Sequence, residues 1–527
     1  MPLPLEAQEP LKSAEEEYYD FLSLLDLTKR PTLGYRTLSD SVWAVSPGVR
    51  HPWDGLNLGR THKWSDSIAL RVYGPELFVS FNTAAPYGYY DGALWQGRGL
   101  NTSLSAGVRL EVYGFDLTFK PQLSFSQNLG FDIMPSVMPN ETNPNKYGYF
   151  WGYGIDAPQR FGDLPFLVYD WGDSEIRYTW KTLTIGFGTQ TIWLGPARIN
   201  PILHSNNAPA YPKFDIGLRR QSVTIPWLDW YIGDFEARVW IGRLTESDYF
   251  DNDTSNDNTM FHGFSFAYAP SFISGLTLMV NRVCLVPWKA ENLKYMFPSD
   301  DNTYEDQKAS FGLSWVFPQV GFEIYGELGI DDYVGGWLPG YIRHPFHTTV
   351  YTAGLRKSFN ILPKKQIYGE LVFEFNWMEM TQDFQFQWPY SFYFHHINRH
   401  GYTNKGQILG NPISPGGNAQ YLGFKFYYPK GDTLLFISRA NPDNNYLYGK
   451  AVGVSVADNE LNRKYHSSFK ADFSLGIDTL YALSSALMVS GGLVYNLLIN
   501  PEYIKAEGYT NNYLYNFSVR LGLNLKL

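Results

Sequence analysis

From about residue 65 onward, apolar and polar side chains alternate with a period of two, the spacing of strands whose two faces meet different surroundings. The last segment is the clearest. Tyr513, Tyr515, Phe517, Val519, Leu521, Leu523, Leu525 and Leu527 fall on one face, and Asn516, Ser518, Arg520, Gly522, Asn524 and Lys526 on the other. The same alternation sets Val108, Leu110 and Val112 against Arg109 and Glu111, and Phe235, Ala237, Val239 and Ile241 against Glu236 and Arg238. It recurs with Phe322, Ile324, Leu328 and Ile330 against Glu323 and Glu327, and with Ile367, Leu371, Phe373, Phe375 and Trp377 against Glu370 and Glu374. Charges therefore keep to one face, which is water in a soluble sheet and a lumen in a transmembrane barrel.

Connection lengths decide between the two. Short links fall at 113–116, around Lys181, and at 226–234, 270–275, 317–321, 360–366, 429–432 and 476–479. Long ones alternate with them at 83–98, 127–172, 194–213, 245–260, 287–306, 331–347, 380–417, 440–463 and 501–510. Tight periplasmic turns alternating with extended external loops are the outer-membrane pattern. Nine long and eight short links predict an all-β membrane protein, an antiparallel transmembrane β-barrel of about 18 strands with both termini on the short-turn side. Aromatic clusters beside the short links, Trp227, Trp230 and Tyr231 or Tyr427 and Tyr428, match girdles at headgroup depth.

Before the strands, residues 11–27 read as one amphipathic helix: Glu15, Glu16 and Glu17 come early, Tyr18, Phe21, Leu22 and Leu25 recur at helical spacing, and Pro31 ends it. Its apolar stripe is expected to cover the periplasmic mouth. The chain divides accordingly into a helical segment and linker, 1–62, and a barrel, 63–527.

Composition sharpens this. The 527 residues include 39 Tyr, 36 Phe and 16 Trp, and only 18% are charged, against about 25% in soluble domains. A mean hydropathy of −0.27 and the lack of any run near the roughly 18 apolar residues of a helical span exclude a helical membrane protein. A barrel escapes that test because alternate residues face a polar interior. A net charge of −9 without a basic patch argues against nucleic acid. Cys284 stands alone, which rules out an internal disulfide. Residues 1–10 carry Glu6 and Glu9 and neither a basic nor an apolar signal region, so a processed mature form is expected.

The lumen candidates, Arg71, Arg109, Glu111, Lys120, Arg177, Asp215, Arg219, Glu236, Arg238, Glu323, Glu327, Glu370 and Glu374, are of mixed sign, which favours ion-paired networks over a conducting stripe. The long loops hold enough residues to fold inward, so a largely plugged lumen is expected. In the longest informative loop, Gln385, Gln387, Trp388, Tyr390, Tyr393, His395, His396, Asn398, Arg399, His400 and Tyr402 combine flat rings with amides and imidazoles. That mixture suits a sugar, whose C–H face packs on a ring while its hydroxyls need donors and acceptors; the same residues also fit a girdle row merging into loop packing.

Metal chemistry finds little support. His395, His396 and His400 lack a zinc-helix context, and Asp251, Asp253, Ser255 and Asp257 imitate a calcium loop whose glycine and final glutamate are replaced by Asn256 and His262. His204 and Ser205 are adjacent, which places them on opposite faces of an extended chain. Neither an enzyme nor a cofactor is expected.

Two segments carry a family resemblance. Trp193, Gly195, Pro196 and Ala197, followed by Leu203, His204, Ser205, Asn206, Asn207, Ala208 and Pro209, resemble the Wzi-type capsule-assembly outer-membrane proteins, as does the stretch from Gly401 through Gly406 and Gly410 to Pro412, with Asn411 where that family commonly has histidine and Ser414 near an expected glycine. The ending Arg520–Leu527 resembles the signal read by the barrel-assembly machinery, with Leu in place of the commoner Phe. The resemblance implies an eighteen-stranded barrel in outer-membrane lipid, closed by inward loops and an N-terminal helical segment, acting as a lectin for capsular or exopolysaccharide. A monomer is expected. The rival reading is a porin for small solutes.

Overall fold

The computed structural model describes residues 5–8, 10–45, 48–56, 61–65, 67–136, 146–151, 154–251, 253–296, 305–331, 342–343, 346–379, 391–413, 415–451, 469–503 and 512–526. Ahead of the wall come β1 (Leu5–Gln8), α1 (Ala14–Leu24), β2 (Tyr35–Arg36) and β3 (Val42–Val45). The wall opens with the short β4 (Thr61–Ser65) beside β5 (Ile68–Asn82), then β6 (Gly99–Val112), β7 (Phe115–Phe119), β8 (Gln122–Ser126), β9 (Phe166–Asp170), β10 (Glu175–Trp180) and β11 (Leu183–Gly188). β12 (Trp193–Leu194) lies inside the lumen. The wall resumes with β13 (Lys213–Ile225), β14 (Trp230–Thr245), β15 (Asn258–Pro270), β16 (Leu276–Pro287), β17 (Asp306–Phe317), β18 (Phe322–Asp331), β19 (Thr349–Leu362) and β20 (Ile367–Trp377). An inner hairpin, β21 (Thr403–Asn404) and β22 (Gln407–Ile408), precedes β23 (Asn418–Tyr428), β24 (Gly431–Asn441), α2 (Asn444–Ala451), β25 (Ala471–Ala482), β26 (Leu487–Ile499) and β27 (Tyr513–Leu525).

Neighbouring strands pair antiparallel, and β27 returns to β5 with a register from Ser518↔Asn82 to Asn524↔Glu76, closing the cylinder. β7 and β8 form one spanning strand bent at Lys120 and Pro121, where proline withholds an amide from the ladder. β9 and β10 form another, bent at residues 171–174 around Gly172. The barrel therefore has 18 spanning strands.

Alternation does what the pattern requires. Along β27, Leu521 is 60% exposed toward lipid while Asn516 and Ser518 are buried in the lumen. Tight turns sit on the periplasmic side, and the residues that open them, Tyr113, Lys181 and Lys430, take the left-handed conformation of primed hairpin turns (φ 47°, 58° and 78°). One expected turn is displaced. Gly476 and Thr479 lie within β25, and the chain reverses instead between β25 and β26, where Ser484 Oγ accepts the Ala486 and Leu487 amides at 3.2 and 3.1 Å. Gly476 is small to make room for the Phe436 ring directly opposite, 2.2 Å from where a Cβ would stand.

Helix α1 begins at Ser13, whose Oγ accepts the Glu16 amide at 3.1 Å, an N-cap the sequence supplies directly. Tyr18, Phe21 and Leu22 are completely buried against Trp53, Tyr427, Ala482 and Met488, at the short-turn end of the lumen. Its acidic face binds the wall: Glu15 to Lys526 at 2.6 Å, Glu17 to Lys425 at 3.1 Å, and Asp20 to Arg356 at 2.8 Å.

Candidate functional site

The lumen charges of the wall are used to hold two inserted segments. The first is the N-terminal chain beyond α1. Arg30 bridges Asp20 (2.8 Å) and Glu323 (2.7 Å), and Glu323 also receives Arg356 (2.9 Å), which reaches on to Glu370 (2.5 Å). Glu236 accepts three successive amides, Leu33, Gly34 and Tyr35, at 2.8, 3.0 and 2.7 Å. Asp40 receives Arg219 (2.7 Å) and Arg238 (2.6 Å), Arg238 and Arg177 share Asp215, and Arg109 pairs with Asp116 (2.8 Å) and Glu111 (2.9 Å).

The second segment is the connection 189–212, which leaves the wall after β11 and folds inward. β12 pairs with β2 (Trp193↔Arg36), so the loop and the N-terminal chain form one plug. Trp193 is wholly buried, with the Lys12 ammonium and the Arg36 guanidinium 5.4 and 5.0 Å from its ring. Gly195 turns at φ +81°, and a Cβ there would stand 2.8 Å from the Glu327 carboxylate. Glu374 then repeats the device of Glu236, accepting the amides of Arg198 (2.8 Å), Ile199 (3.1 Å) and Asn200 (2.6 Å).

The loop 189–212 docks on the segment around β21 and β22. Ser205 Oγ donates to Gly410 O (2.8 Å), Asn207 Nδ2 to Ile408 O (3.0 Å), and Asn206 Nδ2 to Tyr90 O (2.8 Å). Gly410 has no side chain because Ile202 O would lie 2.2 Å from its Cβ, and Gly406 (φ +79°) passes close to Phe161. His204 bridges Ile192 O and Tyr211 Oη, both at 2.8 Å, and burial holds its imidazole down to about 3. It is a neutral strut, and its neighbour Ser205 is committed to backbone.

Above this plug, on the long-loop side, lies a cavity of about 940 Å³, within the roughly 300–1,000 Å³ of ligand sites. Tyr87, Tyr89, Trp95, Phe131, Phe150 and Phe161 supply ring faces; Gln407, Lys470 and Asp472 supply polar groups. Asp472 Oδ1 is buried with no hydrogen-bond partner among the described residues. A second cavity of about 580 Å³ lies toward the periplasm beside Glu17, Lys425 and Arg520. Tyr90 and Asp91 border the lower cavity, where burial raises the Asp91 carboxyl to about 6 despite a 2.6 Å hydrogen bond from Gln96.

The loop residues singled out for sugar binding are split. Tyr393 and Tyr402 are fully buried and stacked at 5.5 Å, Tyr393 Oη donating to Ile202 O (2.6 Å). His400 is buried against Thr259 Oγ1 (2.8 Å), and burial holds it down to about 3. His395 is buried and accepts the Asn398 amide at Nδ1 (2.9 Å), while His396 and Arg399 are exposed. Trp388 and Tyr390 lie outside the described residues. The cavity aromatics come instead from loops 83–98 and 127–165; the run Tyr87, Tyr89, Tyr90 between Pro86 and Gly92 was the available signal.

A family model described as "Capsule assembly protein Wzi" matches residues 169–486, more than half of the chain and both motif segments. The chain belongs to the Wzi capsule-assembly family. As a Wzi-family barrel it is an outer-membrane protein. Among solved structures it is similar to Wzi of Escherichia coli, described as an outer membrane protein involved in group 1 capsule assembly and a carbohydrate-binding β-barrel: 12% identity, TM-score 0.54, covering 86% of this chain and 85% of that one. OccAB1 of Acinetobacter baumannii aligns with 10% identity and TM-score 0.40, over 86% of this chain and 97% of its own. No curated protein sequence matches. At 12% identity the Escherichia coli structure speaks to fold alone, and the Wzi-type segments prove in this chain to be the joints of the plug.

Proposed function

We propose that this Wzi-family barrel binds capsular or exopolysaccharide non-catalytically in the extracellular cavity, as a monomer inserted by the barrel-assembly machinery. The observation that carries this is the cavity itself: it is lined by ring faces from Tyr87, Trp95 and Phe131 and by Asp472, whose buried Oδ1 has no hydrogen-bond partner among the described residues, above a filled lumen. Sugars are held by that pairing of C–H faces on rings with hydroxyls on fixed polar atoms. Trp388, Tyr390, His396 and Arg399 are proposed as further sugar contacts. The segment 1–62 acts as the stopper, and the porin reading loses support because the lumen charges are spent on it, on the 189–212 loop and on one another.

The test is a pull-down on capsular polysaccharide from the source cells. Tyr87→Ala and Phe131→Ala are each expected to weaken retention about tenfold, since ring–ligand contacts contribute roughly 1–3 kcal/mol each. Trp388→Ala and Tyr390→Ala are run beside them. Wild-type retention by the cavity pair together with loss in the Trp388 and Tyr390 variants would move the site to those two residues; full retention by all four would reject the glycan reading at these residues.

A further inference from the structure

The strand ladder of the cylinder is interrupted in its outer half among the described residues. Below the bend at residues 171–174, β10 is paired by β7 on one side and β11 on the other. Above the bend, β9 is paired by β8 and by no other strand among the described residues. The cause is the inward departure of the chain after Gly188. Thr189 bonds back to Ser174 O (2.7 Å) and Gly172 O (2.7 Å), and the wall resumes only at Lys213, paired to Gly242.

The opening is framed on every side. β9 forms one edge; Pro212, whose carbonyl accepts the Arg243 amide at 3.0 Å, and the end of β14 form the other. The Thr189 contacts form its lower border, and above it Phe161 meets Tyr249 with ring centroids 5.8 Å apart. Across it the Ala210 amide bonds the Asp170 carboxylate, and behind it stand an ion pair, Lys405 to Asp170 (3.6 Å), and the Thr245 amide bonded to Asn404 Oδ1 (3.0 Å).

What lies on either side of β9 is informative. Leu167 and Tyr169 point outward, 63% and 53% exposed, at the membrane face. Phe166 points inward and packs on Trp95 (6.2 Å) and Phe161 (5.8 Å), both lining the extracellular cavity. One strand, whose second edge meets no other strand among the described residues, therefore separates that cavity from the outer leaflet. An open sheet edge facing hydrocarbon is disfavoured because its amides and carbonyls find no partners there.

The geometry points to a side portal: the sugar headgroup of an outer-leaflet glycolipid enters through the gap between β9 and β14 and reaches the aromatic cavity, while its acyl chains stay against Leu167 and Tyr169. A sugar-headed amphiphile matches both sides at once. Its hydroxyls satisfy the β9 edge and the Lys405–Asp170 pair, and its rings continue onto Phe161 and Trp95. This rests on the glycan reading and adds the route and the lipid-linked form of the ligand.

The test uses the full barrel in nanodiscs of phosphatidylethanolamine and phosphatidylglycerol, with and without rough lipopolysaccharide as the sugar-headed amphiphile, and follows amide exchange in β9 by mass spectrometry. In phospholipid alone, the β9 amides are expected to exchange at least tenfold faster than those in the middle of β25. Rough lipopolysaccharide should slow them at least tenfold, and its delipidated core oligosaccharide should not. Slow exchange in phospholipid alone would overturn the portal, as would equal protection by the lipid-free core, or protection that appears only in discs holding two barrels, the signature of edge-to-edge pairing with a second copy. Soluble polysaccharide binding measured in the same discs separates the two readings: binding retained with β9 indifferent to lipopolysaccharide overturns the portal alone.

Discussion

Glu236 and Glu374 each collect three consecutive main-chain amides, and this gives single wall residues unusual leverage over the plug. A buried amide left without an acceptor costs about 1–3 kcal/mol. Glu236→Ala should therefore release the chain around Arg30 and Arg36, seen as new trypsin cleavage there with the barrel still heat-modifiable on a gel; an unchanged digest would show that the ion pairs suffice. The period of two fixes a face, and Glu236, Glu323, Glu327, Glu370 and Glu374, which it puts on the charged face, are all buried in the structure. It could not reveal that two of them bind backbone, since a peptide amide leaves no mark on composition. The buried tyrosines at 393 and 402 misled for a related reason: rings beside imidazoles look alike whether they meet a ligand or a neighbouring loop.

Strands 230–245, 322–331 and 367–377 were legible from alternation alone, and helix α1 from its early glutamates and apolar stripe. The turn between β25 and β26 was not, because it is made by Ser484 rather than by Gly, Asn or Pro, while Gly476 in mid-strand carried the stronger turn signal. Glycine has a different task in these strands. Gly263 faces Trp240, Gly354 Tyr325 and Gly476 Phe436, each directly opposite in register and each with a ring atom 1.9–2.3 Å from the missing Cβ. A large ring bent over a glycine fills the lumen side without crowding the ladder. Gly263→Val is accordingly expected to destabilise the barrel by about 1–3 kcal/mol, the usual cost of overpacking, measurable as a lower temperature of heat modification; an unshifted transition would mean that Trp240 can move aside freely.

For the molecule as a whole, the wall and its contents are one electrostatic unit. Wall arginines at 109, 177, 238 and 356 are buried and paired, partly with acids of the wall and partly with Asp20 and Asp40 of the N-terminal chain. Intact protein in a planar bilayer should show no steady open-channel current, whereas Asp20→Ala combined with Asp40→Ala, which strips the stopper of two anchoring carboxylates, should show frequent openings. Steady current from the wild type would reject the filled lumen. Eighteen strands followed from counting alternating links, but the inward course of 189–212 did not, because an external loop and an inserted one have the same length and polarity.

The seam between β5 and β27 sets an order of events. The first long strand of the wall waits for the last, so the tube stays open along its side until the C-terminal residues arrive. The loop 189–212, tied to the wall at both ends, is expected to be laid inside while that side is still unzipped, whereas helix α1, which sits at the open periplasmic mouth, can dock after the final strand.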